Sequence, residues 1–349
     1  MSRPLCKQTR YRSAVLEPGC ISSDVATILQ GPIRQQLSDR RHKLRHAVQH
    51  SENAARLELL LQEVDRALAR IEDGTYGICE ACHEAIEPDR LAADPLIRFC
   101  LCRLTEDEKA ALERDLELAA QVQRGLLPRD NLDRDGWNVR YHYDPAGVVS
   151  GDYCDVIDAG PAGLYFMVGD VSGKGVAASM MMAQLHAMFR TLISVDLSLQ
   201  CMIEQASQVF SGSSLPSQYA TLVLGRALPN GRVEICNAGH PAPFLVHQGN
   251  VWALEGDNLP IGMFGSTEFS VSELCFEPGQ SMVIFSDGVS DAIDASGSEY
   301  GLDRLRSLVA AQRCAGLLEA CRDDLNRFRH GAPKTDDVTL FVLGRGQAA

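Results

Sequence analysis

The chain has 349 residues and a formal net charge of −13, from 33 Lys and Arg against 46 Asp and Glu, with 45% hydrophobic and 23% charged residues. That composition fits a globular chain of two or three domains, and its acidic sign argues against a role in gripping nucleic acid or an anionic membrane. No window approaches the roughly 18–20 uninterrupted apolar residues of a bilayer span, and the first residues lack the apolar core of a signal peptide. A cytoplasmic location is therefore expected. The 12 cysteines then read as metal ligands or small buried hydrophobes, not disulfides.

Residues 1–30 show no clear period and are expected to form a poorly ordered tail. From Ile33 to Ile71 apolar residues step at helical spacing, through Leu37, Leu44 and Val48, then Leu57, Leu60, Val64 and Leu68. The polar stretch QHSEN between the two stripes suits the turn of a helical hairpin. A short cysteine-bearing unit follows, closing a first domain at 31–104. Residues 105–130 form a linker whose helix covers 105–127, with Thr105 as N-cap and acidic residues in the first turn. Its positions Leu112, Leu116, Ala119, Gln123 and Leu126 follow the heptad spacing of a two-helix seam, the polar Gln123 fixing register. An amphipathic helix lying on its own neighbouring domain is the alternative.

Residues 131–349 change character. Residues 1–129 hold 19 basic and 20 acidic side chains, residues 130–349 hold 14 and 26, and only five of the 29 glycines precede Gly136. Short runs such as WNVRYHY, GLYFMVGDV, YATLVLGRAL, GRVEIC, SMVIFSD and DDVTLFVL read as strands. Helices are expected from Val176 to Ser194, from Ser198 to Phe210, and as a pair between Leu302 and Phe328. Strands, a helical pair, a meander, then helices and a last strand indicate a layered α+β domain.

Cys79 and Cys82 form a C-x-x-C knuckle, and Cys100 and Cys102 follow after 17 intervening residues. Thiolates from two such clusters suit tetrahedral zinc, which a unit with so small a core needs for stability. The stretch TYGICEACHEAIEPDRLAADPLIRFC resembles the DksA/TraR-type zinc finger. Arg103 stands where that family has its last cysteine. The fourth ligand is then Cys102, one residue early, or His83, and a metal-free remnant is the remaining reading.

Four acidic motifs end apolar runs: SGDYCDV (Asp152, Asp155), FMVGDVSGKG (Asp170), VIFSDGVSDA (Asp287, Asp291) and KTDDVTLFV (Asp336, Asp337). Any one reads equally well as a turn. Together they describe carboxylates that converge from strand ends and need divalent cations among them. Oxygen ligands without His or Cys favour magnesium or manganese. GDVSGKG lacks the spacing of a phosphate-binding P-loop. The C-x5-R from Cys6 to Arg12 lacks the glycines and flanking elements of a cysteine phosphatase.

The order SGDYCDV, GDVSGKGVAASMMMA, NAGHPAPFL, LPIGM, FSDGVSDA and KTDDVTL resembles the SpoIIE/RsbU branch of the PPM family of metal-dependent serine/threonine phosphatases, over residues 115–345. The resemblance implies an αββα sandwich, two stacked sheets flanked by helices, preceded here by the helical hairpin and zinc finger. It implies two Mn2+ or Mg2+ ions held by Asp152, Asp170, the carbonyl of Val171, Asp287 and Asp336, with Asp155 and Asp337 behind them. A metal-activated water then replaces any side-chain nucleophile. Lys174 reads as a solvated lysine at a helix start, with contact to substrate phosphate as the alternative. His240 reads as a turn residue in preference to a general acid. The implied substrate is a phosphorylated STAS-domain anti-sigma-factor antagonist in partner switching. The implied assembly is a homodimer through the linker, with the zinc unit regulating and no nucleic acid or membrane bound. The competing reading is a non-catalytic phosphoprotein-binding scaffold acting through a transcription-related zinc module.

Overall fold

The computed structural model describes residues 21–50, 54–87, 90–91, 94–101, 106–128, 132–195, 197–213, 218–256, 258–263, 268–312 and 316–346. The expected N-cap Thr105 and the candidate ligand Cys102 lie outside the described residues, as do residues 1–20 of the expected tail. The rest of that tail is not structureless. Helix α1 spans Ile21–His50 and continues back through Gly31 and Pro32.

Helix α2 (Ala54–Glu72) folds back along α1. Leu57, Leu60, Val64 and Leu68 recur every three or four residues, so they share one face and bury it against Leu37 and Leu44. Arg41 and Arg45 both reach Asp65 at 3.8 Å across the antiparallel pair. The same core continues into the knuckle through Tyr76, Cys79, Ile86 and Leu91. Helix α3 (Glu106–Leu126) then leads to the second unit.

That unit is a sandwich of two antiparallel sheets. One runs β1 (Leu132–Arg134), β2 (Trp137–Asp144), β11 (Val338–Arg345), β10 (Ser281–Phe285), β7 (Phe244–His247) and β8 (Asn250–Ala253). The other runs β3 (Asp152–Asp158), β4 (Leu164–Val171), β5 (Ala220–Ala227), β6 (Arg232–Ala238) and β9 (Ser272–Cys275). Strand alternation builds three layers of core. In β4, Phe166 and Val168 meet Ile284 and Phe341 between the sheets. Tyr165, Met167 and Val171 point outward under α4 (Val176–Ile193) and α5 (Leu199–Ser213). On the far side, α6 (Asp287–Ser290) is one turn, and α7 (Leu302–Ala311) and α8 (Leu317–Arg329) cover Val283, Phe285, Leu340 and Val342. This is the expected αββα order; β1, β3, β7, β8 and β9 complete the sheets from segments outside the runs read as strands, all but the seven-residue β3 being four residues or fewer.

Phe166 lies across its neighbour strand, opposite Gly225, and stacks on Phe341 of the other sheet at 6.0 Å. A Cβ on residue 225 would meet the Phe166 ring at 2.1 Å. Gly225→Ala is expected to cost about 1–3 kcal/mol in urea unfolding. Adding Phe166→Leu should recover part of that loss, and a Gly225→Ala variant as stable as the parent would contradict this packing.

Candidate functional site

The four acidic motifs come together where the two sheets end. In β3 and β4, Asp152 and Asp170 are direct register partners. Both share the strand face of Phe166 and Val168, so both carboxylates are directed between the sheets. The other two motifs meet through β10 and β11. Ser286 N–H donates to the Thr339 carbonyl at 3.0 Å, its hydroxyl donates to the Asp337 carbonyl at 3.2 Å, and Thr339 N–H donates to the Ser286 hydroxyl at 2.9 Å. Asp287 therefore opens its turn against Asp336 and Asp337. Gly288 permits that approach, since a Cβ there would stand 2.0 Å from the Asp337 carbonyl. The Thr339 hydroxyl donates to Asp152 and so ties one sheet's carboxylate to the other sheet.

Asp337 accepts N–H donation from Ala146 at 2.7 Å and Gly151 at 3.0 Å, so it holds the loop entering β3. A Cβ on Gly151 would lie 2.9 Å from the Val171 carbonyl and 3.3 Å from Asp170 Oδ1, which shows these two oxygens side by side against the loop. Asp155 stands apart. It lies three residues from Asp152, hence on the opposite strand face, where Arg190 of α4 holds it at 2.9 and 2.8 Å and His186 lies 3.5 Å away. Its place in the sequence reading, behind the metal ligands, is corrected by that face: it fastens α4 to β3.

Electrostatics make the group unstable alone. Burial raises Asp152 and Asp170 well above the ordinary carboxylate range, and the neighbouring acids raise them further, Asp337 most for Asp152 and Asp287 most for Asp170. Asp287 is itself solvent-exposed, yet desolvation by its surroundings, Asp336 and Asp291 push it up to about 7, while Lys174 and Lys43 pull it back. Burial and Asp336 also raise Asp337. Oxygen donors that resist ionisation together fit hard divalent cations, whose charge removes the repulsion.

Lys174 is not the solvated residue expected from the sequence. Its ammonium lies 2.8 Å from Asp336 and donates to the Thr335 carbonyl at 2.6 Å. Burial opposes its charge, but Asp336 more than compensates and its pKa is raised. His240 does take the turn role: it exchanges hydrogen bonds with the Asn237 amide at 2.9 and 3.0 Å, and its Nδ1 lies 2.9 Å from the Thr221 hydroxyl. Burial pulls its pKa down to about 3, so it carries no proton to donate as an imidazolium near neutral pH.

Gln123 was legible only as a seam residue of the linker. It is 6% exposed, its amide nitrogen donates to the Ser150 carbonyl at 2.7 Å, and its oxygen accepts from Ser150 N–H at 3.0 Å. Ser150 in turn accepts from Asp152 N–H at 3.0 Å. The C-terminal half of α3 thus lies on its own sandwich, with Leu126 packed against the core beneath α4, while Leu118 and Val122 face outward.

In the N-terminal unit the sulfurs of Cys79, Cys82 and Cys100 all lie within 4.8 Å of one another, with Cys82 and Cys100 at 3.2 Å. Backbone donation, first from Cys100, pulls the Cys79 thiol down to about 6, toward the thiolate form that binds metal. Among the described residues, His83 is not part of this cluster. The unit touches the sandwich through Tyr219 and Met263, which pack on the hairpin core. Tyr219 N–H donates to the Ser172 hydroxyl at 2.9 Å and Ser172 N–H donates to the Tyr219 carbonyl at 2.8 Å. No helix among the described residues is long and apolar enough to cross a membrane.

The sequence profile described as Stage II sporulation protein E (SpoIIE) matches residues 160–346, and that of the prokaryotic dksA/traR C4-type zinc finger matches residues 74–102. Protein IcfG of Synechocystis sp. is 26% identical over 69% of this chain and 43% of its own length. The phosphoserine phosphatase RsbP of Bacillus subtilis is 26% identical over 67% of this chain and 59% of its own. The chain thus spans about half the length of these curated relatives. In fold, the SiaA-PP2C domain of Pseudomonas aeruginosa superposes with a TM-score of 0.58 and 20% identity, over 69% of this chain and 99% of that one.

Removing one repelled carboxylate separates stability from metal binding. An Asp whose pKa is raised on folding destabilises the protein above that pKa, and the penalty fades as pH falls toward the unfolded value. In metal-free buffer at pH 8, Asp287→Asn is therefore expected to raise stability, by no more than about 1 kcal/mol because solvent screens this exposed carboxylate. Added Mn2+ should raise the melting temperature of the parent but not of the variant. A variant less stable than the parent without metal would contradict this reading.

Proposed function

This chain belongs to the SpoIIE family, and from that premise we propose that it is a metal-dependent phosphoserine/phosphothreonine protein phosphatase. The observation that carries the proposal is the meeting of Asp152, Asp170, Asp287 and Asp336 from four distant motifs at one end of the sandwich. Asp170, the Val171 carbonyl, Asp287, Asp336 and Asp152 would hold two Mn2+ or Mg2+ ions. When bound, such a pair supplies a deprotonated water and clamps the phosphoryl oxygens. The chain's own residues do the positioning. Asp337 and Gln123 fix the loop entering β3, Thr339 orients Asp152, and Lys174 holds Asp336 at the edge of the group. The buried, neutral His240 leaves proton transfer to solvent and to the leaving group's surroundings.

The substrate in this reading is a phosphorylated STAS-domain protein in a partner-switching pathway of the cytoplasm, supported by the likeness to RsbP. Regulation by the N-terminal unit is supported by its contact with Tyr219, which is bonded to Ser172 beside the Asp170 loop. A homodimer would use the outward face of α3, where Leu118 is 59% and Val122 66% exposed. The cysteine cluster would hold one Zn2+, with Cys102 as the fourth ligand.

Asp170→Ala and Asp287→Ala are each expected to lower Mn2+-dependent hydrolysis of an aryl phosphate on the order of 10²–10³-fold with the fold retained. Near-parental rates at saturating Mn2+ would reject the two-metal assignment. Elemental analysis of the full chain should find about one zinc, and close to none in Cys79→Ser. Leu118→Asp with Val122→Asp should halve the mass seen by light scattering, and a parent that is already monomeric at high concentration rejects the dimer.

A further inference from the structure

A cavity of about 260 Å³ lies at the seam between the N-terminal unit and the sandwich. Its floor is Ser172, Gly173 and Lys174, the backbone leaving Asp170, followed by Ala177 and Ala178 at the start of α4. Its wall comes from α1, α2 and the knuckle, which contribute Arg40, Arg66, Arg70 and Arg98. Two acids, Glu63 and Asp94, also line it. Asp94 is engaged by Leu96 N–H at 2.9 Å.

The arginines are not equally committed. Arg70 and Arg98 share the one carboxylate of Glu80, each at 3.2 Å, and Arg70 also donates to the Thr75 carbonyl at 3.0 Å. Arg40 and Arg66 enter no salt bridge among the described residues, and Arg40 Nε is buried without a hydrogen-bond partner. Arg40 and Arg66 therefore line the cavity as cations without a carboxylate partner among the described residues, and an anion entering it meets them there.

We propose that this cavity binds the acidic flank of the phosphoprotein substrate, with Arg40 and Arg66 receiving carboxylates beside the phosphorylated residue. The proposal rests on the phosphatase reading above. The floor is continuous with the Asp170 loop, which sets the cavity beside the carboxylate group. The charge distribution gives the cavity its purpose: residues 130–349 hold 14 basic and 26 acidic side chains and repel an acidic phosphoprotein. Guanidinium groups from the other unit supply the attraction.

The test uses the full-length, metal-loaded chain and its Arg40→Gln, Arg66→Gln and doubly substituted forms. The probes are labelled phosphoserine peptides flanked by aspartates or by serines. Affinity is read by fluorescence anisotropy, turnover by phosphate release, and p-nitrophenyl phosphate reports the metal site alone. The parent should prefer the acidic peptide, and each substitution should lower the acidic-to-neutral ratio of kcat/KM, and of affinity, about fivefold. Because each ratio is taken within one variant, partial misfolding does not mimic the effect. An unchanged ratio in the double variant overturns the proposal. So does faster peptide turnover, which would make the hairpin a cover over the site. Weakened inhibition by inorganic phosphate with an unchanged peptide ratio also overturns it, in favour of a small-anion site. No turnover of any phosphoester by the parent rejects the phosphatase reading instead, and the anisotropy ratio still decides what the cavity prefers.

Discussion

Asp152 and Asp337 are buried, with Asp170 half-buried and Asp287 exposed beside them, and desolvation together with neighbouring carboxylates, Asp336 among them, raises the pKa of each. A fold that gathers such groups works against Coulomb repulsion in a medium of low polarity, and so every element around them must be held firmly. The neighbours show how this is done. Thr339 donates across the sheets to Asp152, two backbone N–H groups hold Asp337, and Lys174 stands against Asp336. The sandwich supplies rigidity through its inter-sheet layer, where Phe166 and Phe341 stack at the centre.

Two separate parts of the chain reach the loops carrying these acids. Gln123, from the helix between the units, grips Ser150 just before Asp152. Tyr219, which supports the N-terminal hairpin, is bonded on both sides of its peptide to Ser172, just after Asp170. The two gripped loops flank the register pair Asp152–Asp170.

Much of this was open to direct reading. The period of Ile33 to Ile71 gave the hairpin, because one apolar face at spacing three and four buries itself only against a similar face. The four Asp motifs could be grouped because each ends an apolar run, and strand ends in a layered domain converge. His240 followed from its asparagine–glycine turn. Asp155 was misassigned although its signal was present: three residues along a strand reverses the face, and that alone separates it from Asp152. The start of α1 was missed because Gly31 and Pro32 interrupt the pattern that marks a helix.

What the sequence by itself determined is local and periodic: the helices, most strands, the cysteine knuckle and the identity of the acids that meet. What only the tertiary structure decided is the partner of each polar side chain. Gln123 at a heptad position and Lys174 at a helix start have ordinary sequence contexts, and both are buried in hydrogen bonds to residues distant in the chain. The same holds for Arg40 and Arg66, surface-like positions on two helices that become the wall of a cavity only when the hairpin rests on the sandwich. The physical reason is that period reports which face of an element is apolar, while a hydrogen bond or an ion pair depends on a distance of about 3 Å between atoms that chain order does not bring together.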